Sequence, residues 1–255
     1  MFTALRSIVG LVLSGLVLTA HDSQPEERVL RSHLAFLSDE LLEGRGTGQR
    51  GGELAVRYLE TQMAGMGLQP ANGASYRQSV QLSGVRLDAV NSALRFEGAS
   101  GSLLPAIGPD LVMGAAATEP SLSVDSEVVF VGHGIAAPDG SRNDYKGLDV
   151  RGKLLLMLVG DRHQGRAMPS RCEPENYYGR WTYKFEEARR QGAAGVLLIH
   201  TDSSAGYGWA VVRAGWTQER FHRTGTGQEG MMQGWITETA AGRLVGLAGQ
   251  DFRTL

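Results

Sequence analysis

The residues able to do chemistry are scattered along this chain. A catalytic zinc site needs about three His, Asp or Glu ligands gathered by the fold. The six histidines are His21, His33, His133, His163, His200 and His222, and none stands in an H-E-x-x-H pattern. His200-Thr201-Asp202 is the one pair with ligand-like spacing, at the end of an apolar run. No third ligand is evident beside it, so a strand-end histidine in a polar loop is the plainer reading. The single cysteine, Cys172, excludes an internal disulfide and cysteine-rich zinc sites. His163 is near it in sequence, but Glu173 and Glu175 disfavour its thiolate. A G-x-S-x-G elbow does not occur, and the stretch around Ser100 has the wrong spacing. The aromatic stretch from Asn176 to Phe185 reads either as a contact surface or as the aromatic side of a core helix. These readings name no catalytic, cofactor-binding or metal-binding residue.

A second chemical possibility is phosphate. Five of the nine residues from Gly44 to Gly52 are glycine, just before a helical pattern. A phosphate loop needs Lys and a hydroxyl after its last glycine. Here Gly46 and Gly51 have the spacing, but Gly52 and Glu53 follow. Gly46, Gly48 and Gly51 also fit a dinucleotide G-x-G-x-x-G, which belongs after a buried strand. This one follows an amphipathic helix, so a turn between two helices is the reading, with Arg45 and Arg50 solvated.

The elements that must position these groups follow from periodicity. Val29, Leu30, Leu34, Leu37 and Leu41 recur at helical spacing over Glu26 to Leu42, and a second helix runs from Gly52 to Met66. Strands are expected at Asn91–Phe96 and at Ser126–Ile135, the latter buried on both faces. The clearest strand is Lys153–Val159, followed by a helix to Gln191, a stop at Gly192 and a strand at Val196–His200. That order predicts an α/β unit. Thr201–Met232 reads as a long loop with a short strand. A strand at Gly234–Ile236 precedes a last helix to about Leu247, capped by Thr237 or Thr239.

Length and charge bound the class. The 255 residues suffice for one large domain or two modest ones, with 42% hydrophobic and 20% charged residues. A net charge of −2 gives no reason to expect nucleic acid or an anionic membrane as partner. Residues 1–20 read as a secretory signal: Arg6, an apolar run from Ile8 to Leu18, then Thr19-Ala20. The expectation is export to a periplasmic or extracellular compartment, cleavage after Ala20, and no stable membrane insertion afterwards.

Two stretches together carry a resemblance. His33–Pro70, with its D-E-x-L-x-G-R turn, resembles the opening of the M28 family of zinc peptidases. Val129–Asp161 and Lys184–Asp202 resemble the protease-associated domain inserted in many of them; Asp144–Gly147 and Gly192–Gly195 are the specific marks. The resemblance implies an α/β (α+β) fold with an N-terminal helical hairpin and a β-rich inserted domain. It implies boundaries at 25–118 for the peptidase part, 119–238 for the protease-associated domain and 239–255 for the return to the peptidase domain. It also implies an exported zinc metallopeptidase, an aminopeptidase in the commoner case, acting on peptide or protein. In the family two zinc ions are held by residues after the insert. The His200-x-Asp202 spacing falls inside the insert and is not carried over. The expectation is therefore a chain that binds no zinc, lacks the catalytic half and is inactive alone, with a last helix that is loosely anchored. A stand-alone, non-catalytic peptide-binding module is the alternative. The glycine stretch becomes the inter-helix turn, where glycine permits left-handed backbone and close approach.

Overall fold

The computed structural model describes residues 26–115, 121–160, 176–223 and 230–254. The expected signal at residues 1–20, His21, His163 and Cys172 lie outside the described residues. Among the described residues no helix is long and apolar enough to cross a membrane. The fold is α/β, and the chain divides into two compact units, residues 1–79 and 80–255.

The first unit is helical. Helix α1 spans Glu27–Leu37 and α2 spans Arg50–Gly65, with a short 3-10 turn at Glu40–Arg45 between them. The apolar pattern predicts α1 to Leu42, but it stops earlier. Asp39 adopts extended backbone, and its carboxylate accepts from the Leu41 N–H at 2.8 Å. A side chain that bonds the backbone locally in this way ends one helix and starts another turn. Glu43, Gly44 and Arg45 then all have left-handed backbone. The Arg45 guanidinium donates to the Leu37 carbonyl and ties the turn to α1. Helix α2 ends as expected: Gly67 takes φ 75° and the Leu68 N–H reaches back to Met63 O at 3.1 Å. The leucines of this unit are largely outward: Leu41 is 79% exposed and Leu34 57%.

The second unit is built on a five-stranded sheet. Its strands are β4 (Leu111–Ala115), β5 (Val128–Phe130), β6 (Leu154–Leu158), β7 (Gly195–His200) and β9 (Met232–Thr237). Two smaller pairs accompany it: β1 (Leu82–Val85) with β8 (Arg220–Arg223), and β2 (Phe96–Gly98) with β3 (Gly101–Leu103). The sheet order is β4-β9-β7-β6-β5, with β5, β6, β7 and β9 parallel and β4 antiparallel to β9. The helices are α3 (Asn176–Gly179), α4 (Trp181–Arg190), α5 (Asp202–Ala205), α6 (Trp209–Trp216) and α7 (Glu238–Gly246).

Strand alternation sorts the core into two layers. Leu155, Met157, Val196, Leu198 and Trp235 face one layer, where α4 brings Phe185 and Ala188 and α6 brings Val212 and Trp216. Leu154, Leu156, Leu197, Ile199 and Ile236 face the other, where α7 brings Ala240, Ala241, Leu244 and Val245. Both faces are covered, which is why β6 and β7 are continuous apolar runs.

Four expectations are corrected. The strand at Ser126–Ile135 shrinks to β5, because Gly132 and Gly134 take positive φ and break it. Among the described residues it pairs only with β6, so there it is an edge strand with Val128 exposed, not one buried on both faces. Asn91–Arg95 is irregular and only Phe96 begins a strand. Thr201–Met232 is not a long loop: it holds α5, α6 and β8. Finally, α7 is firmly seated, since Ala240 and Ala241 are fully buried against the sheet. As for the expected boundary at 118/119, β4 lies before it yet is hydrogen-bonded along its length to β9. Sheet pairing therefore assigns β4 to the second unit.

Candidate functional site at the carboxyl ends of the parallel strands

In parallel sheets, ligands bind beyond the carboxyl ends of the strands. Here that edge collects His133 after β5, Gly160 after β6, and His200 at the end of β7. The start of α4 adds Trp181, Tyr183 and Lys184, and α3 adds Tyr177 and Tyr178.

The marks Asp144–Gly147 shape the loop after β5. The Asp144 carboxylate accepts from the Ile135 N–H at 3.1 Å and from the Arg142 guanidinium at 2.8 and 3.0 Å. Tyr145 is buried and its hydroxyl donates to Gly134 O at 3.3 Å. Tyr183 closes the same loop from α4, its hydroxyl within 3.1 Å of the Ala136 N–H, which donates to it. Burial pushes both phenols upward, so they stay protonated donors.

Lys184 is the most buried charged residue of this edge, with no exposed surface. Its ammonium donates to the Gly160 carbonyl at 2.8 Å, which fixes the chain leaving β6. His133 is half-buried beside it, and its Nδ1 has no hydrogen-bond partner among the described residues. Burial pushes the His133 pKa down to about 4. The charges of Lys184 and Arg142 act in the same direction, while Asp144 and the Gly160 carbonyl oppose them. The imidazole is therefore neutral near pH 7.

Three tyrosine rings, Tyr177, Tyr178 and Tyr183, meet edge to face at centroid distances of 5.1 to 5.5 Å. Tyr177 is 45% exposed and Trp181 40% exposed. Within the aromatic stretch Tyr183 and Phe185 are core, as the core-helix reading has it, while Tyr177 and Trp181 form an exposed rim. Aromatic rims of this kind suit an apolar or peptide ligand.

The His200–Asp202 pair does not make a ligand set. His200 is 3% exposed, its Nε2 lies 3.0 Å from Tyr207 O, and its Nδ1 is 3.8 Å from the exposed Asp202 carboxylate. Its ring is wedged among Tyr207, Trp209 and Trp235. His33 Nδ1 sits 2.8 Å from the Tyr58 hydroxyl in the helical unit, and His222 lies on β8. Among the described residues no group of three or more His, Cys, Asp and Glu converges to hold a metal. The described residues therefore offer no donor set for zinc. Sequence reasoning quoted Tyr145 and Lys184 as parts of longer stretches but gave neither a role. Both stand in polar, charged segments, so nothing local marks either as buried.

No family model matches the sequence, and no curated protein matches it. Among solved structures, an aminopeptidase from Aneurinibacillus sp. strain AM-1 aligns at 17% identity with a TM-score of 0.32. The alignment covers 78% of this chain and 36% of that one, so the chain spans little more than a third of that protein's length.

Proposed function

We propose that the chain serves an exported zinc peptidase of the M28 kind. In this reading the helical unit is part of the peptidase fold. The sheet unit, β4 included, is a protease-associated domain that shapes how peptide reaches the active centre. The observation that carries the reading is the meeting of its two sequence marks. Asp144–Gly147 lies in the loop between β5 and β6, Gly192–Gly195 leads into β7, and β5, β6 and β7 are neighbours in the sheet although β6, α3 and α4 separate the two marks in the chain. Tyr145 shares a buried cluster with Ala188 and Val196. Gly195 pairs with Leu154, and the Gly152 N–H donates to Gly192 O at 2.8 Å. The outward leucines of α1 and the 3-10 turn give further support, because a peptidase sheet would cover such a face.

The described residues do not build a zinc site, so no hydrolytic step is assigned to them. Their role is substrate access, at the rim of Tyr177 and Trp181. The test is zinc analysis of the purified chain, an aminoacyl-anilide assay, and a peptide titration followed by NMR. The expected result is no stoichiometric zinc, no turnover, and shifts at the Tyr177 and Trp181 signals. Stoichiometric zinc with turnover abolished by chelation would overturn the division of labour, and silent rim signals would overturn the access role.

A stand-alone peptide-binding module is the second reading, favoured by the exposed Tyr177 and Trp181. The intact mass of the native protein separates the two. This chain is 27.4 kDa before any cleavage; a native mass about twice that, one further domain of ordinary size, supports the peptidase reading.

A further inference from the structure

The last residue of β7 touches both ends of the turn that follows it. Helix α5 is a single turn, Asp202–Ala205. The Thr201 hydroxyl accepts from the Ser204 N–H at 3.1 Å, and left-handed Gly206 donates its N–H to Asp202 O at 3.0 Å. One turn fixes several residues for few hydrogen bonds, so it is marginal unless anchored from outside. The anchor is the buried His200 imidazole. Its Nε2 lies 3.0 Å from Tyr207 O, just past the turn, and its Nδ1 lies 3.8 Å from the Asp202 carboxylate, at the turn's first residue.

The two ring nitrogens differ. A carbonyl only accepts, so Nε2 carries the hydrogen in the Tyr207 contact. In the neutral ring Nδ1 is then a bare lone pair, which makes no bond to a carboxylate. Their 3.8 Å separation is that of two acceptors, beyond hydrogen-bond distance. A proton on Nδ1 turns the pair into a donor and an anion, for which about 2.7–2.9 Å is ordinary. The Asp202 side chain is 80% exposed, so solvent gives it room to swing in. A charge on a buried ring is costly without partners. Here the rings of Tyr207, Trp209 and Trp235 stand 5.8, 5.6 and 6.2 Å away, distances at which aromatic faces attract a cation. Among the described residues the other neighbours leave Asp202 as the counter-ion. Helix α6 brings Trp209 and only an exposed Arg213, β9 brings Trp235 and Thr237, β6 is apolar, and the link after α5 brings the Tyr207 phenol. From α4, which packs on that layer, Lys184 bonds Gly160 O and Glu187 bonds Arg190.

We propose that His200 is an acid-operated clasp: protonation of Nδ1 draws the Asp202 carboxylate onto the ring, and the one imidazole then ties both ends of the α5 turn to the end of β7. Closing takes up a proton, so acid favours the closed turn and alkali leaves only the Tyr207 contact. The clasp stands at the carboxyl edge of the parallel strands, so the order of the loop after β7 follows pH there. His133, at the same edge, acts in the opposite sense on global stability, because its folded-state pKa is pushed down. The clasp is therefore read locally. It stands on these residues whether or not the chain serves a peptidase.

The experiment is NMR of the full chain at about pH 7.5 and pH 5.5. Proton–nitrogen correlations of the His200 ring report which nitrogens are protonated. Exchange protection of the Ser204, Ala205 and Gly206 amides, corrected for the intrinsic effect of pH and taken relative to the β7 amides, reports closure of the turn. The expected result is Nε2 alone protonated at the higher pH and both nitrogens at the lower, with α5 protection rising about fivefold, as a partly exposed charge-assisted bond gives. D202N should abolish the rise. H200Q keeps a donor for Tyr207 O but takes up no proton, and should show no rise either. A ring protonated on one nitrogen at both pH values, α5 protection unchanged by acid, or the same rise in D202N overturns the proposal. The wild-type and D202N data decide the matter even if H200Q fails to fold.

Discussion

A Cβ built on Gly51 would stand 1.5 Å from the Leu42 carbonyl oxygen. The first turn of α2 therefore lies directly on the backbone of the preceding 3-10 turn. The atom in the way is backbone, so no side-chain rotation relieves it. Gly52 faces the same constraint from Gly46 O at 2.4 Å. The glycines thus serve close backbone approach, and the phosphate reading of this stretch finds no support in its geometry. G51A should destabilise the helical unit by at least about 2 kcal/mol, as overpacking against a fixed element does. Amide exchange along α2 is the measurement, and unchanged protection in G51A would contradict the packing.

Asp144 tests whether the Asp-Tyr-Lys-Gly mark is structural. Its carboxylate collects one backbone N–H and a two-point bond from Arg142 in a partly shielded loop. Loss of charge-assisted bonds at such a place costs about 1.5–3 kcal/mol. D144A should lower the urea midpoint accordingly without changing the slope of the transition. A midpoint within error of wild type would make the loop's order independent of this acid.

How much of this was legible in the sequence depended on what each element buries. Strands β6 and β7 were readable because both faces are covered, which forces an unbroken apolar run. Helix α4 was readable because Gly192 stops it with a left-handed residue. Helix α6 was not, because only Val212 and Trp216 of its eight residues are buried and Gly215 interrupts the pattern. The place of β4 was hidden, since its partner β9 lies far along the chain and pairing leaves no local signal. For His200, the missing third ligand already favoured a strand-end histidine, and the geometry adds the partner, Tyr207 O at Nε2.

The half-buried imidazole of His133 predicts a pH effect on stability. Its pKa in the folded protein is pushed down to about 4 from an ordinary 6.5. Between these values the unfolded chain binds the proton and the folded chain does not. Stability must therefore rise with pH through that window and be lost as pH falls from about 6.5 towards 4. Because the ring is only partly shielded, the effect should be about 1–2 kcal/mol. Asp110, held below its ordinary pKa by the Ala106 N–H and Arg243, adds a loss at more acid pH. Urea unfolding at pH 4.5, 5.5 and 7 isolates the histidine when H133Q is run in parallel: the variant should show a flatter dependence. Parallel curves for both proteins would mean that His133 does not titrate differently on unfolding.

Thr237 tests the seating of α7. Its hydroxyl accepts from the Ala240 N–H at 3.2 Å, which makes it the cap in preference to Thr239. One face of the helix packs Ala240, Ala241, Leu244 and Val245 into the layer beneath β7 and β9. A helix held at its first turn and along one face opens only with the sheet it covers. The amides of Leu244 and Val245 should therefore exchange nearly as slowly as those of Leu197 and Ile199. T237A removes one bond at the first turn and should cost about 1 kcal/mol. The loss should appear first as faster exchange at Ala240 and Ala241, with the β7 amides following only by the global decrease. Fast exchange of the whole helix in the unmodified protein would show that its buried face is not held by the sheet.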